Sequence, residues 1–383
     1  MSERFQIYVS SISYYSGKLE GYVRYVGLPH DRIELTRRTF QDLLQHTGVR
    51  KMPAAQCPDG RWLKDTTPMI AYLDREHAGV SVYPADPAER FLSLVLEDYA
   101  DEWMWRPAMH YRWSFPDSRA LLARRIERLL IRLPRPLKPL GRAFIAARQL
   151  RIYIRGDGVR ASNREAVEAI YTRTLAVLEA ILQNQDFLGG DRPSIVDFGF
   201  YASMWRHFAL DPDPAAVMRE RAPSVYAWVA RVWEARAETL SEKPFRSVAG
   251  EAWTPVWKEL TNAYLPYLDQ NAEAWEKGLK RFDATVDGVV YPSLPVVRYR
   301  VACREQLLKA WRALPDDDKI KVRTMTPGPA TAAWFDGAKD VPSGLDEEFD
   351  MPLKPRYRTP TGFYALKVMN GTPWDMPKDA LKR

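Results

Sequence analysis

Three linked stretches of sequence decide the fold: Lys51-Met52-Pro53-Ala54, then Asp59-Gly60-Arg61-Trp62-Leu63, then Asp65-Thr66-Thr67-Pro68-Met69-Ile70-Ala71-Tyr72-Leu73. The Asp-Gly pair lies between two apolar runs, which is a strong signal for a β-hairpin. Asp65 and Thr66 are residue types that begin helices, and Pro68 suits the first helical turn. The region therefore predicts a strand, a tight turn, a second strand and a helix.

The residues before this region alternate between strand and helix patterns. Phe5 to Val9 is rich in β-forming residues, Lys18 to Val26 has a helical period, and Arg32 to Leu35 predicts a second strand. With the hairpin and its helix, residues 1–80 follow the order βαβ, loop, ββα. We therefore expect a mixed α/β domain at the N-terminus.

From Pro87 the chain changes to long helical patterns with few β-branched runs, which predicts an all-helical domain over residues 87–245. The predicted helices are Ala88 to Met109, Ser118 to Arg132, Arg164 to Gln185, Val196 to Phe208 and Ser224 to Arg236.

Two further regions follow the helical domain. Residues 250–323 predict an accessory module with a helix from Leu260 to Leu279, kinked or split at Pro266, a hairpin around Ala284 to Tyr291, and a helix from Val297 to Leu314. Residues 324–383 hold eight Pro and five Gly, so we expect an extended tail without a core of its own. Its aromatic residues are expected to hold it to the folded part: Trp334, Phe335, Phe349, Tyr357, Tyr364 and Trp374.

The composition excludes several classes of protein. Of the 383 residues, 46% are hydrophobic and 27% are charged, which is typical of globular domains and excludes a disordered or fibrous chain. The only cysteines, Cys57 and Cys303, are too few for a disulfide framework or a cysteine zinc site, and we expect no metal. Cys57 is expected to be a small core residue. Because the N-terminus lacks a signal-peptide pattern and no apolar run is long enough to span a membrane, a cytoplasmic location is expected.

The positive charge is concentrated in one segment. Arg119 to Arg160 holds eleven Arg and one Lys against Glu127 and Asp157, a net charge of +10 in a chain whose total is +7. A solvated helix face is one interpretation, and contact with an anionic membrane surface or a phosphate is the other. We expect no nucleic-acid partner, because no nucleic-acid-binding motif accompanies the basic residues.

The order of elements and their motifs resemble the cytosolic glutathione S-transferase superfamily over roughly residues 4–240. The proline, hairpin and acidic-hydroxyl helix start at residues 51–73 are similar to the family's N-terminal pattern. Phe187-Leu188-Gly189-Gly190-Asp191-Arg192-Pro193-Ser194-Ile195-Val196-Asp197 is similar to the entry of its central helix, with Ser194 and Asp197 as a capping pair. The resemblance implies an α/β plus all-α protein, in which a thioredoxin-like domain precedes a glutathione-transferase-type helical domain and an additional C-terminal module.

The resemblance also implies glutathione as co-substrate. A cis bond at Pro53 would turn the backbone of Met52 into a cleft, where it can pair with the cysteinyl part of glutathione. Asp65 and Thr66 would hold the amino-acid head, the acid on the ammonium and the helix N-terminus on the carboxylate. Plain helix capping is the alternative for Asp65 and Thr66.

A hydroxyl group is expected to stabilise the glutathione thiolate. Ser13, in the loop between the first strand and helix, matches the family's catalytic serine position and is the first choice, with Tyr14 next. Tyr15, Ser16 and Ser11 stay open as alternatives. No Cys occurs in this loop, which disfavours the thiol-disulfide branches of the family.

The second substrate is expected on the first helices of the helical domain. Tyr99, Trp103, Arg106 and His110 recur at helical spacing there, which suits an aromatic or amphipathic electrophile, with ordinary core packing as the alternative. Transferase, peroxidase and isomerase activities share this site and stay open, and a homodimer is expected from the resemblance. The alternative function is a non-catalytic scaffold of the same fold that contacts an anionic membrane surface or a partner through residues 119–160.

Overall fold

The computed structural model describes residues 4–49, 51–130 and 133–353. Its N-terminal domain is built on one four-stranded sheet with the order β2-β1-β3-β4. Strand β2 is parallel to β1, whereas β3 and β4 are antiparallel to their neighbours, so the predicted order of strands is confirmed. The strands are β1 (Phe5–Val9), β2 (His30–Glu34), β3 (Ala54–Gln56) and β4 (Trp62–Lys64).

Three helices accompany this sheet: α1 (Tyr14–Tyr25), α2 (Arg37–Thr47) and α3 (Thr66–Glu76). Helix α2 was expected to be a loop. It begins at a capping box formed by Thr36 and Thr39, and it ends at Gly48 in the left-handed conformation with φ of 72°. The sequence prediction missed it although Phe40, Leu43 and Leu44 recur at helical spacing, with Leu43 buried in the core.

The helical domain follows the prediction with differences at helix ends. The single helix expected from Ala88 to Met109 is two helices, because a turn at Trp103 and Met104 separates them and Pro107 lies in the first turn of the second. Ser194 and Asp197 form the predicted capping box. The helices are α4 (Pro87–Glu102), α5 (Trp105–Ser114), α6 (Pro116–Leu130), α7 (Lys138–Gln149), α8 (Arg164–Leu182), α9 (Ile195–Ser203), α10 (Pro212–Arg221), α11 (Pro223–Glu234) and α12 (Ala237–Leu240).

The accessory module contains the predicted helices and hairpin. A π-helical segment, Leu260–Tyr264, precedes Pro266, and the chain stays helical from Thr254 to Glu276, so the predicted split does not occur. Asp287 and Gly288 both have positive φ and form the tight turn of the hairpin. The elements are α13 (Thr254–Glu259), α14 (Leu265–Glu276), β5 (Arg281–Val286), β6 (Val289–Pro295), α15 (Arg298–Ala313) and α16 (Asp316–Met325).

The tail is more structured than the sequence predicts. Residues 330–349 include two short helices, α17 (Ala330–Gly337) and α18 (Asp346–Phe349). The ring of Phe335 is buried, with its centroid 5.0 Å from that of Phe91 and 5.6 Å from that of Trp311. The expectation of an extended strap is therefore wrong for this part, because its aromatic residues join the core. Tyr357, Tyr364 and Trp374 lie outside the described residues.

One apolar core connects all of these regions. Its buried members extend from Phe5 in β1, through Phe198 in α9 and Trp257 in α13, to Phe335 in α17. The accessory module is therefore packed onto the helical domain and shares its core.

Candidate functional site

The topology of the N-terminal sheet brings three of its loops to one edge. Strand β3 runs antiparallel to β1, with Tyr8 opposite Ala54, and β4 runs antiparallel to β3, with Ala54 opposite Lys64. The end of β1, the start of β3 and the end of β4 therefore meet. We call this place the sheet edge and define it by residues 10–13, 52–53 and 65–66. It contains Ser13 and the four predicted glutathione-binding residues.

Met52 and Pro53 form the start of β3 at this edge. The peptide bond between them is cis, the conformation that the sequence analysis allowed for. Pro53 is buried, whereas Met52 is half-buried and packs in a small apolar cluster with Trp62 and Leu353.

Asp65 occupies the N-cap position of α3, but its side chain does not cap the helix. Its side chain forms no capping hydrogen bond, and its backbone has φ of 69° and ψ of 125°, which is unusual for a residue with a side chain. Burial raises the pKa of Asp65, opposed by a hydrogen bond from Tyr299 and by Lys51. The carboxylate is thus held away from its own helix, which does not support the capping alternative. Thr66 follows as the first residue of α3 and is buried.

Ser13 is the N-cap of α1. Its Oγ accepts a hydrogen bond from the backbone N–H of Ser16 at 3.4 Å, and its side chain is half-buried. Because the oxygen accepts this bond, the hydroxyl proton is left to donate to another group. The neighbouring Ser16 hydroxyl is buried and accepts from the N–H of Ser10 at 3.1 Å.

Two further hydrogen bonds hold the loop that contains Ser13. The N–H of Ser11 donates to Glu34 at 3.0 Å, and its carbonyl accepts from the guanidinium of Arg206, also at 3.0 Å. Arg206 lines an open cavity of about 410 Å³ that lies beyond this loop, between α1, β2 and the rings of Trp205 and Trp233.

Tyr14 and Tyr15 contact the helical domain. The Tyr14 hydroxyl is buried and donates to the carbonyl of Ala100 at 2.5 Å, and burial raises its pKa well above the ordinary value. The half-buried ring of Tyr15 stacks on Trp105 with centroids 5.9 Å apart, and its hydroxyl is 3.3 Å from Glu102. The hydroxyl proton of Tyr14 is therefore donated to the backbone of α4.

A buried ionic cluster beneath the sheet edge was missed by the sequence analysis. Lys18 of α1 forms ion pairs with Glu97 and Asp101 of α4, and Thr67 of α3 donates to Glu97 at 2.7 Å. Burial alone would lower the pKa of Lys18, but the two carboxylates outweigh it and raise that pKa. The i,i+4 spacing of Glu97 and Asp101 on an otherwise apolar helix face was the available signal. The cluster fixes the helix that carries Asp65 against the helical domain.

Three of the four predicted electrophile-binding residues are covered by the accessory module. Tyr99 packs with its ring centroid 5.8 Å from that of Tyr264, and Trp103 donates from its indole N–H to Glu259 at 2.9 Å. The guanidinium of Arg106 pairs with Asp157 at 3.2 Å. All three side chains are buried.

Arg106 also has three aromatic neighbours from the surrounding elements. Its guanidinium carbon is 4.3 Å from the ring centroid of Tyr291 and 5.3 Å from those of Trp103 and Tyr267. His110 lies deeper in the helical domain, bonded to Glu168 and to Ser114 at 2.9 Å each, and burial lowers its pKa. The structure brings these residues together as packing partners and not around an open cavity, because residues 253–295 fill the face that the sequence analysis expected to be accessible.

The C-terminal part of the chain reaches the sheet edge as well. The ring of Tyr299, whose hydroxyl bonds Asp65, stacks on Phe349 with centroids 6.1 Å apart. Leu353 donates its backbone N–H to the carbonyl of Trp62 on β4 at 2.8 Å, and Met351 packs in the apolar cluster that contains Met52. Tyr299 and residues 349–353 therefore lie over the edge that carries the predicted site.

Neither cysteine is placed as a nucleophile. Cys57 and Cys303 are free and buried, and burial raises the pKa of Cys57 to about 11. Within residues 4–49, 51–130 and 133–353, no group of three or more His, Cys, Asp or Glu side chains is arranged to hold a metal ion.

Two family models match the chain. The model of the glutathione S-transferase N-terminal domain matches residues 12–76, and the model of the C-terminal domain matches residues 143–235. The first match includes Ser13, Met52, Pro53, Asp65 and Thr66. Helices α4, α5 and α6 and the accessory module lie outside both matches.

Solved structures with a similar chain path have low sequence identity. A glutathione S-transferase-like protein from Pseudomonas syringae is 19% identical, with 64% of this chain and 76% of that chain covered and a TM-score of 0.43. A beta-etherase from Sphingobium sp. strain SYK-6 is 18% identical, with 67% and 99% covered and a TM-score of 0.43. A theta class glutathione S-transferase from Xanthomonas axonopodis pv. citri, solved with glutathione bound, is 17% identical, with 60% and 92% covered and a TM-score of 0.39.

No curated protein matches this sequence. The two domain matches nevertheless occur in one chain and in the same order as the α/β and helical domains described above. The chain belongs to the glutathione S-transferase superfamily.

Proposed function

We propose that this protein is a glutathione transferase that binds glutathione at the sheet edge and activates its thiol for attack on an electrophile. The observation that carries the proposal is the placement of Asp65, whose side chain is free of helix capping at the N-terminus of α3. The carboxylate would accept hydrogen bonds from the ammonium of the γ-glutamyl head, while the first N–H groups of α3 bind its carboxylate. The backbone of Met52 would pair with the cysteinyl part.

Ser13 is proposed as the group that stabilises the thiolate. Its hydroxyl proton is available because its oxygen already accepts from Ser16, and it lies at the N-terminus of α1. A hydrogen-bond donor and a helix N-terminus both favour the negative charge of a thiolate and lower its pKa. The thiolate then attacks an electrophilic atom of the substrate, and the leaving group departs with the bonding electron pair. Tyr14 is the weaker candidate, since its proton is bonded to Ala100.

A group of three half-buried rings, one of them two residues from Ser13, supports an aromatic electrophile. Tyr15 stacks on Trp105, and the Tyr153 ring meets Trp105 edge-on with centroids 6.0 Å apart. An aromatic substrate could pack against this wall while its reacting atom faces the thiolate. The buried side chains predicted as electrophile contacts would pack behind this wall and hold it in place: Tyr99, Trp103, Arg106 and His110.

A binding role without turnover is the second candidate. The observation that favours it is the hydrogen bond from Tyr299 to Asp65, which would compete with the glutathione ammonium for the same carboxylate. Residues 349–353 lie over the same edge, so a site that stays covered would bind glutathione weakly.

Calorimetric titration of the full chain with glutathione tests the proposal. Asp65→Asn keeps the size of the side chain and tolerates the positive φ, but it removes the charge that the ammonium needs. We expect its Kd to be weaker than that of wild type by about tenfold or more.

Asp59→Asn is the matched control. Asp59 is an exposed carboxylate in the hairpin turn of the same sheet, where it pairs with Arg61, so its replacement should leave the Kd unchanged. Absence of glutathione binding by wild type would overturn the proposal and favour the second candidate. An equal loss in both variants would contradict the role of Asp65.

A further inference from the structure

Helix α7 exposes an apolar stripe to solvent. Leu137, immediately before the helix, is 46% exposed, and Leu140 and Phe144 within it are 68% and 66% exposed. Their spacing of three and four residues places them on one side of the helix. We call these three residues the α7 stripe.

The stripe is unusual within this protein. Nine large apolar side chains are strongly exposed in the part of the chain that the structure describes, and four of them lie between residues 130 and 144. A cluster of this kind marks a surface that is covered in function, whereas scattered apolar residues do not.

Basic residues surround the stripe. Helices α6 and α7 pack together through Glu127, a buried carboxylate that pairs with Lys138 at 3.2 Å and with Arg142 at 3.1 Å. Between residues 119 and 160, the exposed basic side chains that form no ion pair with any residue of the described ranges are Arg124, Arg128, Arg135, Arg151 and Arg155. The segment from Arg119 to Arg160 carries a net charge of +10, so the field around the stripe is strongly positive.

We propose that the α6–α7 hairpin docks on an anionic lipid bilayer. The α7 stripe enters the boundary between headgroups and acyl chains, and the surrounding arginines contact the anionic headgroups. No helix in the described ranges is long and apolar enough to cross a bilayer. A second copy of the chain is a poorer partner for this surface, because pairing two such hairpins would bring like charges together.

Co-sedimentation of the full chain with lipid vesicles tests the proposal. The vesicles contain phosphatidylcholine alone or with about 30% phosphatidylserine, a fraction that gives a clearly negative surface potential. Wild type should sediment with the anionic vesicles only, and added salt should release it. Leu140→Glu combined with Phe144→Glu should reduce the bound fraction by about tenfold or more, since both the apolar contact and part of the charge are lost.

Ile320→Glu is the matched control. Ile320 is 55% exposed on α16, outside the basic segment, so its replacement should not change vesicle binding. Circular dichroism and glutathione titration of each variant would show that the fold is retained.

Three outcomes would overturn the proposal. The first is no binding of wild type to anionic vesicles, including the case in which it binds duplex DNA instead. The second is vesicle binding that the stripe variant leaves unchanged. The third is a wild-type dimer that the stripe variant dissociates while neither protein binds vesicles.

Discussion

The sheet edge and the α4–α5 face both carry residues that the sequence predicts as substrate contacts, yet their surroundings differ. At the sheet edge, Ser13 and Met52 are half-buried, and Asp65 is held by one hydrogen bond from another region. On the α4–α5 face, Tyr99 and Arg106 are buried among partners from the accessory module. The comparison teaches that residues added after a family core can pack fully over one face, as at Tyr99 and Arg106, and only partly over another, as at the sheet edge.

Among the variants that test this comparison, the largest change in stability is expected for a substitution of Arg106. Arg106→Ala should lower the free energy of unfolding by about 3–5 kcal/mol, because Asp157 is left as a buried carboxylate without its partner. Chemical denaturation measures this loss. The control is Arg124→Ala on the exposed side of α6, with an expected change within about 0.5 kcal/mol. An Arg106→Ala protein of normal stability with a raised KM for an electrophile would instead assign Arg106 to the substrate.

At the sheet edge, a smaller change is expected in the affinity for glutathione when Tyr299 is substituted. Tyr299→Phe removes only the hydroxyl that bonds Asp65 and keeps the ring that stacks on Phe349. Because this hydroxyl would compete with the glutathione ammonium in the proposed site, we expect the Kd for glutathione to tighten by about fivefold. The measurement is the same calorimetric titration, with Tyr153→Phe as a control at a tyrosine that does not contact Asp65. Weaker binding after Tyr299→Phe would mean that the hydroxyl orients Asp65 for its ligand.

Much of the fold could be predicted because its signals are local. The Asp-Gly turn, Pro53 and the Ser194–Asp197 capping box act within a few residues, and each forms the predicted structure. Helix α2 was missed although its signals are local too: caps at Thr36 and Gly48, and Phe40, Leu43 and Leu44 at helical spacing.

The surroundings of the site could not be predicted, because they depend on contacts between distant parts of the chain. Tyr299 reaches Asp65 across more than 200 positions of sequence, and Glu259 reaches Trp103 across 156 positions. Helical spacing identified Tyr99, Trp103 and Arg106 as one face, but spacing alone does not show which element covers that face.

The most direct test of the account is a pH titration of the thiol of protein-bound glutathione. The ultraviolet absorbance of the thiolate is the readout. Free thiols titrate near about 8.5, and we predict a pKa lower by about one to two units for bound glutathione. In the proposed mechanism Ser13 would donate to the charged form, so Ser13→Ala should raise that pKa towards the free value, while Ser11→Ala should leave it unchanged. A bound thiol that titrates at the free value in wild type would contradict thiolate activation at the sheet edge.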